Sequence, residues 1–246
     1  MSIQSIPGVT FAAAAVAMSL AGAPAMAQSE DSETGLQGRV AFSYAEARGN
    51  TDTLAITGES ELLYLTDSPW QYDAKLGFVT REESDARTEE RYEAILTANR
   101  YWTEHDYMFG RLSWRKDNFG GVVEEWLPSI GYGRLLIDRE RHKLTGEVGV
   151  GYRFADLSDG TSEEGVALNG GAQYTWQISD SAQFFQNVLV QWTADNTYAE
   201  SETGLSTVIV GNLNARASYR VRHNTDVPAD TRNSDFLTTI GLDYKF

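Results

Sequence analysis

From about residue 38 to the C-terminus, apolar and polar positions alternate with a period of two, one short segment after another. In the first segment Gly38, Val40, Phe42 and Tyr44 share one face, and Arg39, Ala41 and Ser43 the other. Leu54, Ile56, Gly58, Leu62 and Tyr64 then oppose Ala55, Thr57, Glu59 and Glu61. Trp70, Tyr72, Ala74, Leu76 and Phe78 oppose Gln71, Asp73, Lys75 and Gly77. Mid-chain, Leu144, Val148, Val150, Tyr152 and Phe154 oppose Glu147, Gly149, Gly151 and Arg153. The last segment sets Phe236, Thr238, Ile240, Leu242, Tyr244 and Phe246 against Leu237, Thr239, Gly241, Asp243 and Lys245. Since side chains of a strand point alternately to opposite faces, each segment is a strand with one apolar and one polar face.

The pattern predicts about twelve strands, at 36–48, 51–66, 70–81, 88–102, 106–117, 123–137, 142–155, 164–178, 182–194, 203–210, 213–224 and 235–246. Short turns fall near Asp67-Ser68-Pro69, Thr103-Glu104-His105, Asp138-Arg139-Glu140, Ser179-Asp180 and Gly211-Asn212. Most intervening connections read as longer and more polar, such as Asp156–Glu164, Thr197–Thr203 and Thr225–Asp235. The first is short, with a Gly49-Asn50 pair suited to the positive φ of a tight hairpin. An even count depends on the turn at Gly211-Asn212, which keeps both ends of the chain on one side. Pro128 has no N–H for a ladder and suggests a bulge. Arg100 and Arg134 have apolar-face parity near strand ends, so each either snorkels to an interface or marks a one-residue bulge.

A soluble sandwich also alternates. Here the polar faces carry too many charges of both signs for a dry core, and the apolar faces are too continuous to meet water. Aromatics, including Trp70, Trp102, Trp126, Trp176, Trp192 and Tyr244, cluster near strand ends, as in the girdles of membrane barrels. The expected fold is therefore all-β: a transmembrane antiparallel up-and-down β-barrel with lipid outside and a polar lumen.

The N-terminus adds an export signal. The first 27 residues contain no charged side chain and hold an apolar run from Val9 to Leu20, then Ala25-Met26-Ala27 as a small-x-small cleavage site. The n-region lacks Lys and Arg, a departure from the usual signal. Residues 1–27 are expected to be a signal peptide and residues 28–246 the mature outer-membrane barrel of a Gram-negative cell. After residue 27 no apolar run approaches the ~18 residues of a membrane helix. Asp and Glu total 35 against 20 Lys and Arg, a net charge of −15. That balance repels phosphate backbones, so no nucleic-acid partner is expected. The chain has no cysteine, which removes disulfides and thiolate metal sites.

Three segments carry a resemblance. The Gly49-Asn50-Thr51-Asp52-Thr53 hairpin follows the first strand, Gly149-Val150-Gly151-Tyr152-Arg153-Phe154 lies mid-chain, and Tyr219-Arg220-Val221-Arg222-His223-Asn224 precedes the terminal Tyr244-Lys245-Phe246. In this order and spacing they resemble the YdiY-like family of salt-induced outer-membrane proteins, a domain of unknown function. The resemblance covers essentially the whole mature chain. It implies an outer-membrane barrel and brings no catalytic or binding residues. The terminal Phe246, with Tyr244 two residues before it, also resembles the signal read by the outer-membrane barrel assembly machinery. An exposed last strand is open to recognition by strand addition. Outer-membrane lipid and that machinery are the expected partners.

Candidate chemistry lies in the inward charges. The expected lumen-lining set is Arg39, Glu59, Glu61, Asp73, Lys75, Arg111, Arg115, Glu147, Arg153, Arg216, Arg220, Asp243 and Lys245, with Arg91 and Glu93 of the same parity. Arg216, Arg220 and Arg222 form a basic ladder on one strand. Either these groups line a charge-selective pore, or they pair and plug the lumen. A barrel of about twelve strands sits between filled and open sizes. No enzyme is expected, and no metal or cofactor: the histidines are His105, His142 and His223, none in a ligand spacing. His223 with Ser234 and Asp235 across an outer loop is the one weak hydrolase candidate. The acidic stretches Asp156–Glu164 and Glu200–Thr203 read as outer loops open to partners or cations.

Overall fold

The computed structural model describes residues 34–47, 53–194, 196–226 and 233–246. The expected signal peptide and the Gly49-Asn50 turn lie outside those residues. Twelve strands are seen among the described residues: β1 (Gly35–Ala47), β2 (Thr53–Leu65), β3 (Trp70–Glu83), β4 (Ala86–Tyr101), β5 (Asp106–Asp117), β6 (Val122–Arg139), β7 (His142–Leu157), β8 (Ser162–Gln177), β9 (Ala182–Trp192), β10 (Thr197–Val210), β11 (Leu213–Asn224) and β12 (Ser234–Lys245). Each pairs antiparallel with its sequence neighbours, and β12 returns to β1, so the sheet is a closed barrel. Closure removes the free edges that an open sheet could not satisfy in lipid. The seam is Arg39–Phe42 against Leu242–Lys245, extended by mutual backbone hydrogen bonds of Gly38 and Phe246 at 2.8 and 2.9 Å.

Burial is inverted relative to a water-soluble domain. The largest fully buried side chains are Arg220, Glu202, Thr57, Thr239 and Asp243. Phe42, Leu76, Val150 and Ile240 are 57, 56, 42 and 52% exposed, all on the outer face. An apolar face of this extent demands hydrocarbon around it. The aromatics form two belts: Trp70, Trp102, Trp176 and Tyr244 lie at the end where β1 begins and β12 finishes, and Trp126 and Trp192 at the other. At the latter end Trp114 and Trp126 both donate their indole N–H to Glu124, at 2.9 and 3.1 Å. That gives each ring the apolar body and wet handle suited to an interface.

Several connections differ from expectation. The Thr197–Thr203 segment is strand, and β10 begins at Thr197. Its outward positions Ala199, Ser201 and Thr203 are small or polar, so the apolar half of the alternation is missing from the sequence. Asp156–Glu164 shrinks to a connection over 158–161, because β7 and β8 continue to Leu157 and Ser162. There the Thr161 N–H and hydroxyl donate to Asp159 and hold its carboxyl below the ordinary range. The turn at Gly211-Asn212 stands, with Gly211 at φ +54°. Ser84 and Asp85 make a two-residue turn with both φ positive, as a type I′ hairpin requires. Pro128 produces no bulge. The β6–β7 pairing lapses at Leu127 and Pro128, then resumes at Ser129 in the same register, because the missing N–H costs bonds without adding a residue. The register shifts in β6 lie instead at Val122–Glu124 and Leu135–Ile137. Arg100 and Arg134 stay on the outer face. Arg100 lies 6.0 Å from the Trp70 ring, and Arg134 pairs with Asp106 at 3.4 Å.

Candidate functional site

The site is the lumen, and the register brings the sequence-distant charges into it. β1 and β2 set Arg39 opposite Glu61. Its guanidinium reaches Glu59 at 2.9 Å and Glu61 at 3.2 Å, and Lys75 on β3 joins Glu61 at 3.5 Å. Arg216, Arg220 and Arg222 do stack along β11, but they face Ser206, Glu202 and Glu200 of β10. Glu202 takes Arg220 at 3.3 Å and Arg216 at 3.5 Å; Glu200 takes Arg222 at 2.8 Å and Arg220 at 3.7 Å. The expected basic ladder is thus neutralised in place. Glu200, read as part of an acidic outer loop, is buried in the lumen. Buried charges persist only when paired in this way. Asp243 is buried on the same side, and Lys245 is exposed at the rim beside Arg39.

A second network runs around the other wall. Arg115 donates to Glu125 at 3.1 Å, Arg153 donates to the other oxygen of Glu125 at 2.6 Å, and Arg153 also reaches Glu163 at 3.1 Å. This chain crosses β5, β6, β7 and β8. Arg91 holds Asp117 at 2.8 Å. Nearer the terminal end, Arg111 on β5 donates to Glu147 on β7 at 2.8 Å, and the Tyr107 hydroxyl donates to the same carboxylate at 2.8 Å. The intervening β6 offers Gly131 and Gly133, whose missing side chains open that route. A Cβ on Gly133 would lie 2.1 Å from the Tyr107 ring, and one on Gly131 would lie 2.3 Å from Phe109. Asp73, buried, accepts a hydrogen bond from Asn99 at 2.7 Å.

A contact between described residues spans the lumen. The Arg115 guanidinium on β5 sits 5.3 Å from the Tyr198 ring centre on β10. These strands are separated by four strands on one side and six on the other. Tyr198 is anchored by its hydroxyl, which donates to Glu200 at 2.6 Å. The result is a crossbar near the mouth opposite the start of β1, held at one end by Glu125 and at the other by Glu200. Sequence reasoning missed Tyr198, Glu200, Glu202, Glu125, Asp117 and Glu163. Parity counted from Arg115 and Arg153 reaches Asp117, Glu163 and the facing Glu125, whereas the β10 residues are found only once their segment is taken as strand. A groove of about 930 Å³ lies on the lipid face over Ala74, Ala98, Gly110 and Pro128, away from this chemistry.

A family model described as "Protein of unknown function, DUF481" matches residues 40–246. The chain belongs to the DUF481 family. It is 28% identical over 210 residues to the uncharacterized protein YdiY of Escherichia coli (strain K12), covering 85% of this chain and 82% of that protein. The resemblance read from the three sequence segments holds. Among solved structures, this DUF481 chain is similar to the COG4313 outer membrane channel from Pseudomonas putida F1, with TM-score 0.57 and 10% identity over 87% of this chain and 96% of that one. It is also similar to the NanC porin, with TM-score 0.55 and 9% identity over 86% and 100% of the two chains. The translocator domain of the autotransporter NalP from Neisseria meningitidis gives TM-score 0.50 and 15% identity over 88% and 90%. At such identities the likeness is one of fold.

Proposed function

We propose that this DUF481 barrel is a narrow passive pathway for small hydrophilic solutes across the outer membrane, and that it carries out no catalysis. The supporting observation is the uneven packing of the lumen. The side chains of Arg115 and Arg111 keep 28 and 20% of their surface accessible, while Arg220 and Glu202 keep 1%. A solid plug would bury both sides alike. The printed descriptions of two structures of similar fold, a channel and a porin, agree with this reading. Its tie to salt or osmotic stress rests on the family resemblance, and growth of a deletion strain at raised osmolarity tests it. For the pathway itself, the refolded protein in planar bilayers is expected to give small, discrete conductance steps. Their absence at every voltage, together with no osmotic swelling of loaded liposomes, would sink the proposal.

The Arg115–Tyr198 crossbar and the buried Arg220–Glu202 pair favour a second reading, a closed structural barrel, and the recordings together with liposome swelling decide between them. His223 and Ser234 are cross-strand partners, with Nδ1 and Oγ 2.9 Å apart. A two-member contact is not a triad, and we expect ester or phospholipid cleavage to be the same background in the parent protein and in His223→Ala.

A further inference from the structure

The crossbar divides the lumen unequally. On the side holding β11, β12, β1 and β2, the ion pairs of Arg220, Glu202, Arg39 and Glu59 fill the section with buried side chains. The opposite wall is different in kind. Every lumen-facing position of β8 from 167 to 177, and of β9 from 183 to 193, is uncharged. The register sets Gly149 beside Asn169, Glu147 beside Gly171, Thr145 beside Gln173, and Gln173 beside Asn187, so the half-buried Asn169, Gly171, Gln173 and Asn187 form one strip bordered by the buried Thr145 and Ala167. Space lies above it. A Cβ on Gly171 would meet only the Val188 carbonyl, at 3.4 Å.

We propose that solute moves along this glycine and amide strip, and that it is selective for small uncharged polyhydroxyl solutes over ions. The inference rests on the pathway reading above and adds its route and substrate class. Each primary amide offers both donors and acceptors, so the strip can exchange hydrogen bonds with hydroxyl groups stripped of water. The strip's own side chains carry no charge, and the charges on its borders, Glu147 opposite Gly171 and Arg216 3.7 Å over the Phe185 ring, are held by Arg111 and Glu202. The nearby guanidinium and carboxylate groups are already committed to one another, so an ion entering the strip loses hydration without compensation.

The test uses refolded wild-type barrel in liposomes, with swelling measured in glucose, gluconate and glucosamine, which are alike in size and differ in charge. Glucose is expected to enter at least about 10-fold faster than either ion, a difference of about 1.4 kcal/mol in barrier. Gly171→Trp should bring glucose entry to the protein-free background while the barrel still folds, and Arg115→Ala should widen passage to all three. Since the chain has no cysteine, Gly171→Cys and Ser218→Cys report the route directly. An uncharged, membrane-impermeant maleimide should label the first and spare the second. Entry of gluconate or glucosamine at the glucose rate, or labelling at 218 in place of 171, overturns the strip and leaves a pathway. Exclusion of all three solutes by the wild-type barrel overturns the pathway and the strip with it.

Discussion

At the scale of single residues, the lumen is held by charges that would be intolerable alone. Glu202 and Arg220 each keep 1% of their side-chain surface. Removing one member of such a pair strands the other, which costs roughly 3–5 kcal/mol, whereas replacing both with apolar groups of similar volume is often neutral. Glu202→Leu is therefore expected to lower the urea-unfolding free energy of the vesicle-refolded barrel by roughly 3–5 kcal/mol. Adding Arg220→Met should recover most of it, although Arg216 also reaches Glu202 and will keep part of the loss. A double variant no more stable than the single one would mean that the pair is not what Glu202 supplies. Sequence parity placed Arg216 and Arg220 on one face but left Glu202 out. Its strand shows small polar residues on the lipid side where apolar ones announce a strand elsewhere. Two of those, Ser201 and Thr203, are satisfied by Gln186 on the neighbouring β9, whose amide donates to Ser201 and accepts from Thr203.

At the scale of elements, the barrel wall relies on aromatic rings laid over cross-strand glycines. Tyr107 covers Gly133, Phe109 covers Gly131, Phe185 covers Gly204, and Phe78 covers Gly58. A glycine in a strand interior is a weak point unless a neighbour occupies the space it leaves. Gly133→Val forces a side chain into the Tyr107 ring, and such overpacking typically costs about 1–3 kcal/mol. Gly165→Val, with open space above it, serves as the control and should shift the unfolding midpoint far less. Equal shifts would show that strand propensity, and not the ring, governs both sites. The strands themselves were legible from the period of two, because each side of the wall faces a single kind of medium. Connection lengths were not. Polar residues at strand ends read as loop, yet at 155–164 the ladder continues beyond the apolar belt, where water meets both faces.

At the scale of the whole molecule, the sheet closes at the β1–β12 seam, and Phe246 sits on it. Its backbone pairs with Gly38 in both directions, and its ring covers Gly38, where a Cβ would approach within 2.4 Å. Gly38 therefore accommodates the terminal ring on the lipid face, next to Tyr244, which pairs with Val40. We propose a second role for this residue beside the seam, and the two separate by experiment. As a seam residue, Phe246 contributes to stability wherever the barrel is folded. As the exposed end of an edge strand, it is what an assembly machine working by strand addition would engage. Phe246→Ala is expected to refold into detergent or vesicles with the heat-resistant migration of the parent. In cells it should reach the outer membrane several-fold less, with the remainder degraded in the periplasm. If the variant inserts as well as the parent in cells, the ring serves the seam alone. If it fails equally in both settings, closure itself depends on the ring and no separate recognition need be invoked. Closure sets the Arg39–Glu59 pair of β1 and β2 on the same side of the lumen as Asp243 and the β10–β11 ion pairs, whereas the Arg115–Glu125–Arg153–Glu163 network forms within β5–β8.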